Sequence, residues 1–325
     1  MVKLEGDFSS IKEFNYTAVE KLSDFFDISF VEKNPVEYKL WFTNLKEIAE
    51  QNLGLAHCIL HNQSSRNAIN IAYQRTGSEV FNRPYRSSIG AYSFYKGWSK
   101  YQPDTISING TRLSGTKYWA SQLSTADFIV LNVRDIQQAD EIVVPVFVDL
   151  AQVEHKIKKS NATPMGMNVA YPCDFHIDSE IPIEWICTKD MLHKQISSFH
   201  FYGLTANYIS CATSLLNQAE AQGYNIDYSI KKLKLDIEVS TMLWEKSFNE
   251  VFDDISPTQF KNLNTQYQFA RKNLINVTTL FLEVMNTGMC DQESDGSQKF
   301  RDALSMSSHV VNLYKHLDNV IKRLS

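Results

Sequence analysis

The spacing of apolar and polar positions changes twice along the chain and divides it into three stretches. From about residue 8 to 76 apolar residues recur at helical spacing. Ile11, Phe14, Val19, Leu22 and Phe25-Phe26 form a loose stripe that predicts a helix interrupted near Asn15. Pro35 suits a first helical turn, and Tyr38, Trp41, Leu45 and Ile48 keep the period until Asn52-Leu53-Gly54 breaks it. A further helix carries Leu55, Ile59, Leu60, Ala68, Ile69 and Ile71 and ends near Gly77. From Ser87 to about Cys187 the texture is that of strands, the clearest being 128–133 and 141–149, where Pro145 hints at an edge or bulge. After Lys189 the period is helical again. Long helices are predicted over about 190–222, 228–252, 256–286 and 299–324, and Ser256-Pro257 has the look of an N-cap and first-turn proline. In the second of these, Ile230, Leu233, Leu235, Ile237, Met242 and Leu243 read as mostly one side. The pattern predicts an α+β fold, mostly α, with units at 1–86, 87–188 and 189–325.

Within the strand-rich stretch, residues 108–133 carry the most information. Ile108 leads through the Asn109-Gly110 turn into Arg112-Leu113-Ser114-Gly115, then Thr116 to Ser121, and a polar connection reaches Phe128. Gly115 marks a bend or a close approach. Trp119 and Ser121 share parity, so a strand aims an aromatic plate and a hydroxyl at one side. That pair suits a flat ligand with a polar rim, such as an isoalloxazine ring. The plainer alternative is a core aromatic beside a turn residue.

Composition narrows the classes. At 325 residues, 43% apolar and 21% charged, the chain is an ordinary globular protein with room for two or three structural units. A net charge of -5 with no basic block argues against nucleic-acid binding. No apolar run is long enough to span a bilayer, and the N-terminus lacks a signal layout. The five scattered cysteines, with no CxxC, suit reduced thiols in a cytoplasm. His57 and His61 stand at i and i+4 on one helical face. A metal needs a third ligand, and none accompanies them. The expectation is therefore no metal, with one surface histidine and one hydrogen-bonded inside.

The segment Leu113, Gly115, Lys117, Trp119, Ser121, Ala126 and Asp127 resembles the middle β-domain of the acyl-CoA dehydrogenase superfamily, which reads roughly L-x-G-x-K-x-W-I-T/S and then A-D. Thr163-Pro-Met-Gly-Met and Ile181-Pro182 resemble the close of that domain. The resemblance implies a shortened N-terminal helical domain, a middle β-barrel domain and a C-terminal four-helix bundle, assembled as a homodimer or homotetramer. It also implies a flavin, FAD or FMN, in contact with Trp119 and Ser121. The strand from Ile89 resembles the first of the β-domain and brings Phe94 and Tyr95 to the cofactor. The family's T-E-P-G-A-G-S-D loop is replaced by Tyr95-Lys96-Gly97-Trp98-Ser99-Lys100, of which only Gly97 and Ser99 offer similar chemistry.

Arg301-Asp302-Ala303 resembles the family's R-D-A. The medium-chain dehydrogenases carry a glutamate base seven positions beyond that alanine, where this chain has Val310. His309, one position earlier, resembles the oxygen-using branch of the fold. That branch includes dibenzothiophene monooxygenase, two-component phenol hydroxylases and amino-sugar N-oxygenases, which take reduced flavin from a partner reductase. A histidine titrates near working pH and suits proton transfer there; His61 would be a second such group. Three readings follow: an oxygenase acting on a small molecule, a dehydrogenase of an acyl thioester, or a non-catalytic scaffold subunit.

Overall fold

Asn52 illustrates how local chemistry shapes the N-terminal helices. In the computed structural model, α1 spans Tyr16–Phe26, α2 Pro35–Gln51 and α3 Leu53–Thr76. The structure describes residues 6–26, 34–78, 81, 89–93, 105–137, 142–159, 168–170, 172–186, 193–221, 227–251, 256–285 and 295–309. Asn52 closes α2 by donating its backbone N–H to Ile48 O at 2.6 Å. It opens α3 by accepting Leu55 N–H on its side chain at 3.0 Å. Asn34 caps α2 ahead of Pro35 in the same manner. The expected helix from residue 8 is shorter than its stripe. Asn15 accepts Ala18 N–H at 3.1 Å and starts α1, so Ile11 and Phe14 precede the helix, with Phe14 buried from the irregular segment before it.

Among the described residues the sheet has seven strands: β1 Gly90–Ser93, β2 Ser107–Asn109, β3 Arg112–Ala120, β4 Phe128–Asp135, β5 Ile142–Asp149, β6 His155–Lys159 and β7 Cys173–Glu180. Their order is β1-β4-β2-β3-β7-β6, with β5 on the other side of β4. β2 and β3 form the expected antiparallel pair, turning at Asn109-Gly110. β3 runs unbroken through Gly115, which has φ +122. A Cβ there would lie 2.5 Å from the Thr105 carbonyl oxygen, so glycine lets the two backbones meet. β5 pairs only with β4 among the described strands, apart from a single bridge from Val146 to Ile186, and its Pro145 faces Asn132 on this edge strand, where proline is tolerated. β4 is buried on both faces over its first six residues, which is why it reads as a continuous apolar run.

Among the described residues four helices follow: α4 His193–Ala221, α5 Asp227–Lys246, α6 Pro257–Met285 and α7 Asp295–His309. Ser256 and Gln259 form a reciprocal capping box at the start of α6, Gln259 N–H to Ser256 Oγ at 3.3 Å and Ser256 N–H to Gln259 Oε1 at 2.9 Å. α5 stops at Lys246 and gives way to a short turn over Phe248–Val251, short of the expected 252. Its apolar residues do not share one side: Ile230, Leu233 and Ile237 face inward, while Leu235, Met242 and Leu243 are exposed. Residues 310–325, expected to extend the last helix, lie outside the described residues. One apolar core runs from α1–α3 through the sheet into α4–α7. Among the described residues no helix is long and apolar enough to cross a membrane, and Cys58, Cys173 and Cys211 are buried.

Candidate active site

Helix α3 carries Asn62, Gln63, Ser64, Ser65 and Asn67 in succession or nearly so, and every one is buried. A helix this polar stays inside only if its side chains find partners. Ser64 Oγ donates to Leu60 O at 2.8 Å, Ser65 Oγ to Asn62 O at 2.7 Å, and Gln63 Nε2 to Asn67 Oδ1 at 2.8 Å. Asn62 Oδ1 accepts the N–H of Gly90, at the start of β1, at 2.8 Å. β1 lies so close to α3 that a Cβ on Gly90 would meet Ser65 Oγ at 2.1 Å.

This close contact gathers histidines. His61 Nδ1 lies 3.1 Å from the carbonyl oxygen of Tyr92 on β1. His57, one turn earlier, holds its ring centroid 4.1 Å from that of His61. On the other side, the His200 ring of α4 meets His61 edge-on at 4.8 Å and lies 5.9 Å from the Tyr92 ring. Ser64 Oγ is 2.9 Å from His200 Nδ1. Asn132 of β4 donates to the Tyr92 hydroxyl at 3.3 Å. At the outer end, Ser121 Oγ approaches His57 Nε2 at 3.5 Å, the long limit of a hydrogen bond. Three imidazoles thus form a row from the end of β3 into the α3–α4 seam.

The partners assign the protons. A carbonyl only accepts, so His61 carries its proton on Nδ1. The single hydroxyl hydrogen of Ser64 is committed to Leu60 O, so His200 also donates from Nδ1. Each ring keeps Nε2 as an acceptor. Burial pushes the His61 pKa down to about 4, against the pull of the Tyr92 carbonyl. Burial, and secondarily the neighbouring His61, drive His200 well below the ordinary histidine value. Both are neutral at pH 7.

The sequence expectations fall in different places. His61 is buried and hydrogen-bonded inside, as expected, but His57 is half-buried against Ser121 rather than on the surface, because α3 packs under the end of β3. His200 and Tyr92 were not anticipated. The signal available was a helix with Ser198, His200, Thr205, Asn207 and Ser210 between apolar neighbours and no solvent face to hold them. Among the described residues no group of three or more metal-ligating side chains is placed to hold a metal. Phe94 and Tyr95 lie outside the described residues, as do the side chains of Trp119 and His309. α7 runs parallel to α3 and antiparallel to α4: Asp302 lies beside Gly54 and Lys299 donates to Ser214 Oγ at 3.2 Å. At about 1.5 Å per residue, the His309 backbone comes roughly level with His61, seven residues on from Gly54. Asp127, of the quoted motif, ties three elements: it accepts Ile89 N–H at 2.6 Å and the Tyr16 hydroxyl, which pushes that phenol up to about 12.

Two atoms bear on a flat heteroaromatic guest. The Ser121 hydroxyl is half-buried at the strand end, and the neighbouring Gln122 Oε1 is buried without a hydrogen-bond partner while its Nε2 donates to Gly90 O at 2.6 Å. A third is deeper. Ser64 meets His200 and Leu60 faces Gly203, so Asn207, one turn on, comes level with Ala56 and His57 on the same seam. Its carboxamide is wholly buried and neither atom has a partner. A hydroxyl donor and an unsatisfied carbonyl acceptor at the strand end fit the alternating acceptors and donors of a flavin rim.

No family model matches the chain, and no curated protein matches it in sequence. Solved structures do match over nearly its whole length. Butyryl-CoA dehydrogenase of Megasphaera elsdenii superposes with TM-score 0.73 at 12% identity, covering 96% of this chain and 90% of that one. The HsaA monooxygenase from M. tuberculosis gives TM-score 0.73 at 13% identity, covering 97% and 90%. A dibenzothiophene monooxygenase from Paenibacillus gives 0.71 at 12%, covering 93% and 87%.

Proposed function

We propose that this chain, which has the fold shared by acyl-CoA dehydrogenases and these flavin monooxygenases, is a flavin-dependent oxidoreductase of the oxygen-using kind. The observation that carries the reading is the row of imidazoles beside Ser121. Burial keeps His61 and His200 neutral while the Tyr92 carbonyl and the Ser64 hydroxyl fix their orientation, and Val310 stands where the dehydrogenase chemistry needs a carboxylate. A neutral imidazole such as His61 can accept a hydrogen bond from a substrate O–H or N–H and orient it without adding charge.

Trp119, Ser121 and Gln122 would hold the flavin, FAD or FMN, with Phe94 and Tyr95 beside it. When bound, the reduced flavin supplies the electrons that activate oxygen. The chain's own work is to seat the ring through Ser121, to exclude water with the α3–α4 seam, and to hold substrate through His61 and Asn207. His309 acts as proton donor from α7. A flavin reductase is the natural partner, and a neutral small molecule bearing a hydroxyl or amine the substrate class. The dehydrogenases among the structural neighbours support the alternative of an acyl thioester substrate.

The test is reduced FMN or FADH2 mixed with the protein and oxygen. Binding at micromolar affinity, with hydrogen peroxide released more slowly than from free reduced flavin, is the expected result. Peroxide at the free-flavin rate, together with anaerobic bleaching of oxidised flavin by an acyl thioester, would establish the dehydrogenase. No flavin binding in either redox state would leave a scaffold protein.

A further inference from the structure

We propose that the groove between α2, α4 and α5 binds a primary ammonium carried on a hydrocarbon body, with Ser210, Glu50 and Glu238 as its anchors. The groove holds about 640 Å³, the size of a small-molecule site. Helix α4 is its floor, and α2 and α5 are its walls. It is separate from the row of imidazoles, because α4 turns His200 toward α3 and Ser210 toward this groove.

Contacts across the groove set the levels of its residues. Ser214 Oγ donates to the Glu50 carbonyl oxygen at 2.9 Å and the Phe42 ring meets that of Tyr202 at 4.6 Å, so α2 runs parallel to α4. Helical side chains lean toward the N-terminus, which carries the Glu50 carboxyl back toward Ser210, one turn before Ser214. Trp244 Nε1 donates to Tyr202 O at 3.0 Å and Lys234 pairs with Glu220 at 2.6 Å, so α5 runs antiparallel to α4. Glu238, near the middle of that span, comes level with Ser210. Two carboxylates and a hydroxyl, from three helices, thus share one level of the groove.

Ser210 is 1% exposed and its hydroxyl has no partner. The two threonines of the groove, Thr213 and Thr241, turn their hydroxyls back to carbonyls four residues earlier. A buried polar group left unmatched costs stability that a hydrogen-bonding guest restores. Charge selects the guest. The lysines of the groove are engaged: Lys46 Nζ lies 5.0 Å from the Trp244 ring centroid, and Lys234 is held by Glu220. Among the described residues neither Glu50 nor Glu238 forms an ion pair. Partial burial raises the Glu50 pKa, with Lys46 pulling against it, and a carboxylate short of hydration gains most from a cation. An ammonium has three N–H donors and no acceptor, which matches two carboxylates and a hydroxyl. Ile209, Ile237 and Met242 line the rest of the groove and receive the hydrocarbon.

Isothermal titration of the full chain at pH 7 with octylamine, octanol and octanoate tests this. The amine, protonated at that pH, is expected to bind at least about tenfold more tightly than the alcohol, and octanoate more weakly than either. Glu50→Gln, Glu238→Gln and Ser210→Ala should each weaken the amine by about tenfold, and the two glutamine variants should change octanol binding by less than about twofold. An unchanged far-ultraviolet spectrum checks that each variant keeps the fold. Equal affinity for amine and alcohol, no amine binding up to about 1 mM, or an amine affinity indifferent to any of the three substitutions would each overturn the proposal.

Discussion

Helix α4 presents two buried faces, and they are built from opposite chemistry. Toward α2 and α5 it shows Phe199 and Tyr202. Phe199 lies 5.0 Å from Trp41 and 5.1 Å from Phe42, and Tyr202 stacks on Trp244 at 4.6 Å. Toward α3 it shows His200, Gly203 and Asn207 against His61, Ser64 and Leu60. The first face is the cheapest way to bury area: large rings, few polar atoms, and Trp244 Nε1 satisfied by Tyr202 O at 3.0 Å. The second requires each polar group to be matched and leaves Asn207 unmatched. One side of the helix supports the fold, and the other is kept polar at a cost that only a bound guest would offset.

That contrast can be broken experimentally, and the largest effect is expected on the apolar face. Trp41→Ala should cost about 3–5 kcal/mol by chemical denaturation, and a loss below about 1 kcal/mol would mean the ring cluster is not the fold's anchor. Acidification should report on the other face. The unfolded chain protonates a histidine near pH 6.5, whereas His61 in the fold resists to about 4. Between those values the unfolded state binds the proton and the native state does not, so stability falls as pH drops from about 6.5 to 4. The contribution is fully present above that window and on the order of 3 kcal/mol. Denaturation at several pH values should show the slope, and His61→Gln should reduce it, leaving the part that the buried His200 contributes.

Gly90→Ala comes next. The added methyl collides with Ser65 and Phe128, so a loss of about 1–3 kcal/mol is expected, with weakened flavin binding as β1 lifts from α3. The smallest effect belongs to Ser121→Ala. It should leave the denaturation midpoint unchanged and weaken flavin binding by about tenfold, the worth of one hydrogen bond. If fluorescence titration shows equal affinity for wild type and variant, the hydroxyl does not meet the cofactor.

Much of the fold was legible because its elements announce themselves locally. Pro35 after Asn34, Ser256-Pro257 with Gln259, and the Asn109-Gly110 turn each place a boundary through backbone chemistry that needs no distant partner. The apolar, β-branched run of β4 identified a strand buried on at least one face, and the structure buries both over its first six residues. Ser121 and His61 were legible as candidates from strand parity and helix spacing together with the family resemblance.

His200 was not, for a physical reason. A surface helix advertises its inner face as an apolar stripe, but α4 is buried almost all round, so no period separates the face toward α2 from the face toward α3. The position of His57 was lost in a related way, since only the packing of α3 beneath β3 makes it a neighbour of Ser121, 64 residues away. The sequence alone determined boundaries such as those at Pro35, Asn109-Gly110 and Ser256-Pro257, because caps and turns act within a few residues. Tertiary structure alone decided which polar side chains meet, because that depends on which faces of α3, α4 and β1 are pressed together, and the burial so created is what keeps the imidazoles neutral.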